Sequence, residues 1–227
     1  MEQEYLFIKK DWKNRKYLIY DYYPNGDLSE YITIDFGGFK EFHSKYIFDK
    51  ILRCVKALHE AGIFHRDLKP SNIFLDDDFN PKIYNFLISA IFLNDKGEIK
   101  FNDMAGSRGY INPQMVNREL YSGDKADIYS LGVILYILQL PKAFLLRKKN
   151  NNFLQNIPKE IMDKFSPELK NLLTRMTVYN ESDRPSINEI LNDKWFDEIR
   201  QLDKEAFNEL NNEFLLRREE IQNKKLD

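Results

Sequence analysis

A chain of 227 residues can bury a full hydrophobic core without disulfides or metals, and its length alone fits one large domain or two small ones. Hydrophobic residues at 43% and charged residues at 31% exclude wholesale disorder, and a net charge of -2 gives no chain-wide electrostatic basis for holding nucleic acid or an anionic membrane. Cys54 is the only cysteine, which excludes an internal disulfide and a cysteine-rich metal site. The first residues lack the basic-then-apolar pattern of a secretory leader, and the longest apolar run, 131–140, is too short to span a bilayer. The expectation is therefore a cytoplasmic or nuclear protein with no membrane span.

Residues 17–23 form a compact aromatic and aliphatic run closed by Pro24-Asn25-Gly26-Asp27, which reads as a buried strand and a turn. Residues 5–8 supply a partner strand, with 13–16 as the hairpin tip. From Ser44 the period becomes helical: Ile47, Phe48, Ile51, Leu52, Val55 and Leu58 share one face, and Gly62 ends the pattern. Cys54 falls within this helix as a packed thiol. Two short strands, 73–75 and 82–84, flank a turn at 76–80, and 87–108 has no sustained period and reads as a long surface loop.

A helix over 124–140 is apolar on every side and stops at Pro141, which places it at the centre of a domain. Ser166-Pro167 opens a helix with Leu169, Leu172, Leu173 and Met176 on one face, and Ser186 with Glu189 makes a capping box ahead of Ile190 and Leu191. From Asp197 onward, Ile199, Leu202, Ala206, Leu210 and Phe214 mark an apolar stripe on a charged helix without a strict heptad. That helix is expected to dock on the body or on a partner.

The residues that carry chemistry begin at His65-Arg66-Asp67-Leu68-Lys69-Pro70-Ser71-Asn72, a carboxylate, a cation and an amide in one short loop between a helix and a strand. This loop resembles the catalytic loop of eukaryotic-type serine/threonine protein kinases. The resemblance extends along the chain. Residues 17–32 are similar to a kinase hinge, and Gly106-Ser107-Arg108-Gly109-Tyr110-Ile111-Asn112-Pro113-Gln114 resembles the end of an activation segment. Asp127-Ile128-Tyr129-Ser130-Leu131-Gly132, Asp183-Arg184-Pro185-Ser186 and Trp195-Phe196 match the later helices of the large lobe.

The resemblance implies that Asp67 orients the substrate hydroxyl and accepts its proton, and that Lys69 neutralises charge on the transferring phosphoryl group. It implies that Asn72 holds magnesium, that Asp21, Tyr23 and Phe74 meet the adenine, that Asp27 meets the ribose, and that Tyr20 is the gatekeeper. Phe86 would be a spine residue near His65.

Three departures accompany it. Where the family carries Asp-Phe-Gly, this sequence has Asn85-Phe86-Leu87, so the metal carboxylate is replaced by a neutral amide and the glycine's backbone freedom is lost. Where the family carries Ala-Pro-Glu, it has Asn112-Pro113-Gln114, which leaves Arg184 to find another acid or to sit half-solvated. Only two strands precede the hinge, and no glycine-rich loop or phosphate-gripping lysine is found there; Lys9 and Lys10 read as solvated strand ends. Either Met1 is the true start of a truncated chain or these residues are a fragment of a longer one.

The expected fold is α+β, mainly α: a protein-kinase-like C-lobe (21–196) with a truncated β remnant of the N-lobe (1–20) and an amphipathic helical extension (197–227). Three functions fit it. The first is a pseudokinase or scaffold that binds proteins, an intact kinase or its substrate among them, and no nucleic acid. The second is an active kinase using ATP and Mg2+, and the third is a nucleotide sensor without transfer; on the first reading no cofactor is needed. Asp103, three residues before Gly106, stands where activated kinases often carry a phosphorylated threonine, and is expected to pair with Arg66.

Overall fold

The computed structural model describes residues 7–10, 16–19, 21–33, 35–91, 100–141, 159–201 and 204–224. Two extended runs form an antiparallel hairpin, β1 (Phe7–Lys10) and β2 (Lys16–Ile19), with Phe7 opposite Ile19. Residues 13–15 of the expected hairpin tip and Tyr20, the expected gatekeeper, lie outside the described residues, while Lys16 belongs to β2. Asp27 caps α1 (Leu28–Tyr31), its carboxylate accepting the Ser29 backbone N–H at 2.8 Å. The periodic run from Ser44 lies in α2 (Glu41–Glu60), whose Ile47, Phe48, Ile51, Leu52 and Val55 are all buried. Cys54 is a packed thiol there: it donates to the Pro81 carbonyl at 3.3 Å, and burial pushes its pKa up. Gly62 follows at φ 71°, a left-handed position that favours glycine.

After β3 (Ile63–Phe64), the strands β4 (Ile73–Leu75) and β5 (Pro81–Ile83) pair antiparallel around a turn in which the Asp76 carboxylate accepts the N–H groups of Asp78 and Asn80. The second strand starts one residue earlier than the sequence implies, because Pro81 pairs with Leu75 while the Tyr84 N–H turns back to the Asn72 carbonyl.

The segment expected to be one long loop contains two strands. β6 (Ala90–Ile91) pairs with β3, and β7 (Lys100–Phe101) pairs with a strand beyond the next helix. Two-residue strands contain no period to read. Residues 92–99 lie outside the described residues. Then come α3 (Pro113–Asn117), β8 (Tyr121–Ser122) as the partner of β7, and α4 (Gly123–Gln139), in which every residue from Ala126 to Leu138 is buried. The all-round apolar helix is thus the centre of the core. Its Gly132 lies against Met176 and Thr177, where a Cβ would stand 2.6 Å from the threonine methyl.

Past α5 (Lys159–Met162), Ser166 caps α6 (Pro167–Met176), which buries Leu169, Leu172, Leu173 and Met176 against α4. The capping box of Ser186 and Glu189 opens α7 (Ile187–Leu191). Trp195 and Phe196 are buried against α2, with the Phe196 ring stacked on Phe48 at 6.4 Å.

The last helix, α8 (Lys204–Lys224), docks on the body through Leu210 and Phe214, both buried. Leu202 lies outside the described residues. Phe214 sits among Phe79, Tyr31 and Phe39, with ring centroids 4.9, 5.3 and 5.4 Å away. Burial pushes the Tyr31 hydroxyl up to about 12. Arg217, also buried, donates to the Tyr31 carbonyl at 2.7 Å and the Gly38 carbonyl at 3.2 Å, and Glu213 pairs with His43. Emptying the Phe214 site leaves a cavity ringed by aromatics, so Phe214→Ala is expected to cost about 3–5 kcal/mol in urea unfolding. Amide exchange across α8 should rise before that of α4, and an unchanged α8 would show that the stripe does not hold the helix.

Candidate active site

The loop 65–72 is shaped from beneath by Asp127 of α4. This fully buried carboxylate accepts the backbone N–H groups of His65 at 2.9 Å and Arg66 at 2.7 Å, and pairs with His59 Nε2 at 2.9 Å. Holding two successive N–H groups bends the chain, and Arg66 adopts φ 65°. His65 turns its ring toward Phe86, with centroids 5.2 Å apart, and its Nε2 meets the Tyr84 carbonyl at 2.7 Å. The bend presents Asp67, whose Oδ1 accepts the Ser107 N–H at 2.7 Å and whose Oδ2 accepts from Asn72 Nδ2 at 3.2 Å. Lys69 Nζ lies 3.4 Å from Asp67 Oδ2 and donates to Ser107 Oγ at 2.5 Å.

The structure thus brings together Asp67, Lys69 and Asn72, and adds Ser107, which sequence reasoning did not place in the site. Its signal was a hydroxyl residue directly after Gly106. A Cβ on Gly106 would stand 2.6 Å from the Arg66 carbonyl, so glycine is what lets the activation segment approach the loop this closely.

Asn85 takes a left-handed conformation at φ 66° and donates from Nδ2 to Asn72 Oδ1 at 3.3 Å. The two amides proposed to face a metal therefore face each other. Asp67 is the nearby carboxylate, and both its oxygens are engaged. Among the described residues no group of three or more histidine, cysteine, aspartate or glutamate side chains could hold a metal ion. A hard divalent cation seeks several anionic oxygens, and this donor set does not fit it. Leu87 points into solvent, 77% exposed.

The residues assigned to the nucleoside lie around Tyr84. The Tyr84 hydroxyl donates to the Asp21 carbonyl, and its ring packs against Phe74 at 4.6 Å and edge-on to Tyr23 at 5.7 Å. The Asp27 carboxylate, assigned to ribose, is engaged by the N–H and hydroxyl of Ser29. A hollow of about 480 Å³ opens beside this cluster, lined by Asp21, Tyr23, Phe74 and Tyr84 and, from α8, by Arg218 and Ile221. Tyr84 was legible only as a strand end.

Arg66 forms an ion pair with Asp103, lies 4.4 Å over the Phe101 ring, and shares Asp103 with the Tyr121 hydroxyl, which donates at 2.9 Å. The expected pairing is present. Partial burial opposes ionisation of Asp103, but the hydrogen bond from Tyr121 and then the contacts with Arg66 outweigh it and hold the carboxyl below its usual range. A depressed folded pKa means that the contribution is complete above the ordinary aspartate value of about 3.9 and is lost as pH falls through the depressed one. Wild-type protein should therefore resist proteolysis at 100–110 equally at pH 5 and pH 7. Asp103→Ala should be cut several-fold faster there at both, and equal cutting would remove the ion pair as the organiser of this segment.

Arg184 corrects the expectation drawn from Gln114. It is neither half-solvated nor paired with an acid among the described residues. Only 2% exposed, it donates to Gln114 Oε1 at 2.8 Å and to the carbonyls of Val178, Lys125 and Tyr179 at 3.0 Å each. Burial pushes its pKa down to about 10, so it remains charged at neutral pH. Gln114 Nε2 also donates to the Tyr179 carbonyl at 2.6 Å, a contact in which a glutamate would set oxygen against oxygen. The amide is matched to both neighbours. Gln114→Ala orphans a buried guanidinium donor and loosens the Tyr179 turn, and should lower unfolding free energy by about 3 kcal/mol in denaturant; a loss below about 1 kcal/mol would show that the carbonyls alone suffice.

Comparison with known proteins agrees with this geometry. Residues 4–196 match the family model described as protein kinase domain. CBL-interacting protein kinase 10 of Oryza sativa subsp. japonica is 32% identical over 187 residues, which covers 81% of this chain and 41% of that protein. Carbon catabolite-derepressing protein kinase of Candida tropicalis is 38% identical over 177 residues, covering 75% of this chain and 27% of that protein. CBL-interacting serine/threonine-protein kinase 26 of Arabidopsis thaliana is 32% identical over 190 residues, covering 81% and 42%. The chain thus spans less than half the length of each of these relatives. With its catalytic loop, hinge and central helix in place, the chain belongs to the eukaryotic-type serine/threonine protein kinase family.

Proposed function

We propose that this chain is a pseudokinase, a kinase fold that serves as a protein-binding scaffold and does not transfer phosphate. The observation that carries this reading is the amide pair of Asn72 and Asn85, which stands where the family holds its metal between an amide and a carboxylate. Phosphoryl transfer draws nearly all its acceleration from in-line positioning and charge neutralisation, and a base beside a hydroxyl adds little without them. The amide pair does not fit the Mg2+ through which the family holds the ATP phosphates, and Asp67 is left without that positioning. What remains is a fixed surface: a loop pinned by Asp127 and an activation segment held by Arg66 and Asp103. Two relatives are named as CBL-interacting, which supports a protein partner for a fold of this kind. An intact kinase or its substrate is the proposed class of partner, met inside the cell.

A second reading, an active serine/threonine kinase, is favoured by one specific geometry: Asp67, Lys69 and Ser107 keep their mutual contacts. Incubation of the longest native transcript product with radiolabelled ATP and magnesium separates the two. No transfer is expected, and Asn85→Asp should improve magnesium binding without yielding turnover. Transfer that Asp67→Ala abolishes would establish the active reading instead.

A further inference from the structure

The place at the hinge that an adenine ring would need is filled by the chain itself. An adenine requires an aromatic or aliphatic face to lie on and a backbone carbonyl to accept its amino N–H; β4 offers Phe74 and the hinge offers the Asp21 carbonyl. Tyr84 takes both. Its ring lies 4.6 Å from Phe74 at a tilt of 36°, the Tyr23 ring meets it edge-on at 5.7 Å, and its hydroxyl donates to the Asp21 carbonyl.

The backbone beneath this side chain is clamped on both sides. The Tyr84 N–H donates to the Asn72 carbonyl at 2.9 Å, and its own carbonyl meets His65 Nε2 at 2.7 Å. Both anchors belong to the loop that Asp127 holds, so the ring cannot leave by a backbone shift without disturbing that loop. Phe74 is equally fixed, paired with Lys82 within the β4–β5 ladder and bridged to Asp27. A carbonyl has two lone pairs and can accept twice, but the volume of the ring cannot be shared.

We propose that Tyr84 is an intramolecular occupant of the nucleoside position, so that this chain excludes adenine nucleosides by its own side chain, independently of the altered metal site. This rests on the reading of Asp21 and Tyr23 as the adenine-facing segment, and it turns the proposed pseudokinase away from nucleotide sensing.

The test uses adenosine, which carries no phosphate and needs no metal, so that Asn85 does not enter. The full chain, Tyr84→Phe, Tyr84→Ala and Tyr84→Thr are titrated by calorimetry, with each variant's melting transition recorded first. Wild type and Tyr84→Phe, which keep the ring, should show no binding at millimolar adenosine. Tyr84→Ala should gain at least about tenfold in affinity. Tyr84→Thr, whose branched side chain suits the extended backbone after β5, provides the same reading where Tyr84→Ala does not fold.

Micromolar binding by wild type overturns the inference without recourse to any variant, as does a folded Ala or Thr variant that gains nothing. Adenosine binding by wild type without phosphotransfer would overturn this inference and leave the pseudokinase reading standing. Asp67-dependent transfer would overturn the pseudokinase reading whatever the adenosine titration shows.

Discussion

The carboxylate of Asp127 is the interaction on which the rest of the site depends. It is completely buried in the central helix, where an unpaired charge is prohibitively costly, and three donors satisfy it: two successive backbone N–H groups and the His59 ring. In satisfying Asp127, the loop gives up its freedom. Arg66 enters the left-handed region, His65 turns inward to Phe86 and the Tyr84 carbonyl, and Asp67 is set facing Ser107 and Asn72. Each contact at the site is thus a consequence of one polar group that the apolar core cannot leave unpaired.

This dependence explains how a catalytic loop keeps its shape after the metal carboxylate has gone. The charges of the loop serve structure as well as chemistry. Asp67 accepts an N–H that docks the activation segment, Lys69 bonds to Ser107, and Asn72 Nδ2 ties back to the Asp67 carbonyl at 2.7 Å. Removing any of them would leave a neighbouring group without one of its hydrogen bonds. Asn85 is different, because its replacement of aspartate finds a neutral partner in Asn72 and leaves no charge unpaired. The fold can lose the metal ligand at little structural cost, whereas it cannot lose Asp67 so cheaply.

Elements whose signal is local were legible in the sequence. The period of α2, the all-round apolarity of α4 and the caps at Ser166 and Ser186 each report a short-range rule, and the loop motif reports its own spacing. What escaped depends on contacts between distant residues. β6 and β7 are two residues each and exist only because β3 and β8 lie alongside them. Arg184 was expected to find another acid or sit half-solvated, but three backbone carbonyls and an amide from three separate segments converge on it. Tyr84 looked like the end of a strand, and its meaning came from a carbonyl 63 residues away. The apolar stripe of the last helix was visible, but nothing local named Phe79, Tyr31 and Phe39 as its receptors.

The same last helix carries the argument to the hinge. Arg217 holds the carbonyl of Tyr31, the final residue of α1, and Phe214 packs on the ring of that tyrosine. The Tyr31 hydroxyl in turn donates to the Asn25 carbonyl at 2.9 Å, within the turn that follows the hinge. Asn25 reaches onward through Nδ2 to the Asp76 carbonyl at 2.6 Å, in the β4–β5 turn below Phe74. A continuous run of side-chain and backbone contacts therefore links α8 to the hinge turn and to the ladder that fixes Phe74. All of these links except Tyr31 to Asn25 cross between segments distant in sequence, so the hinge owes its position to the docked helix as well as to its own strand. Loss of the α8 contacts would free the carbonyl and ring of Tyr31, and with them the residue whose hydroxyl holds the Asn25 turn.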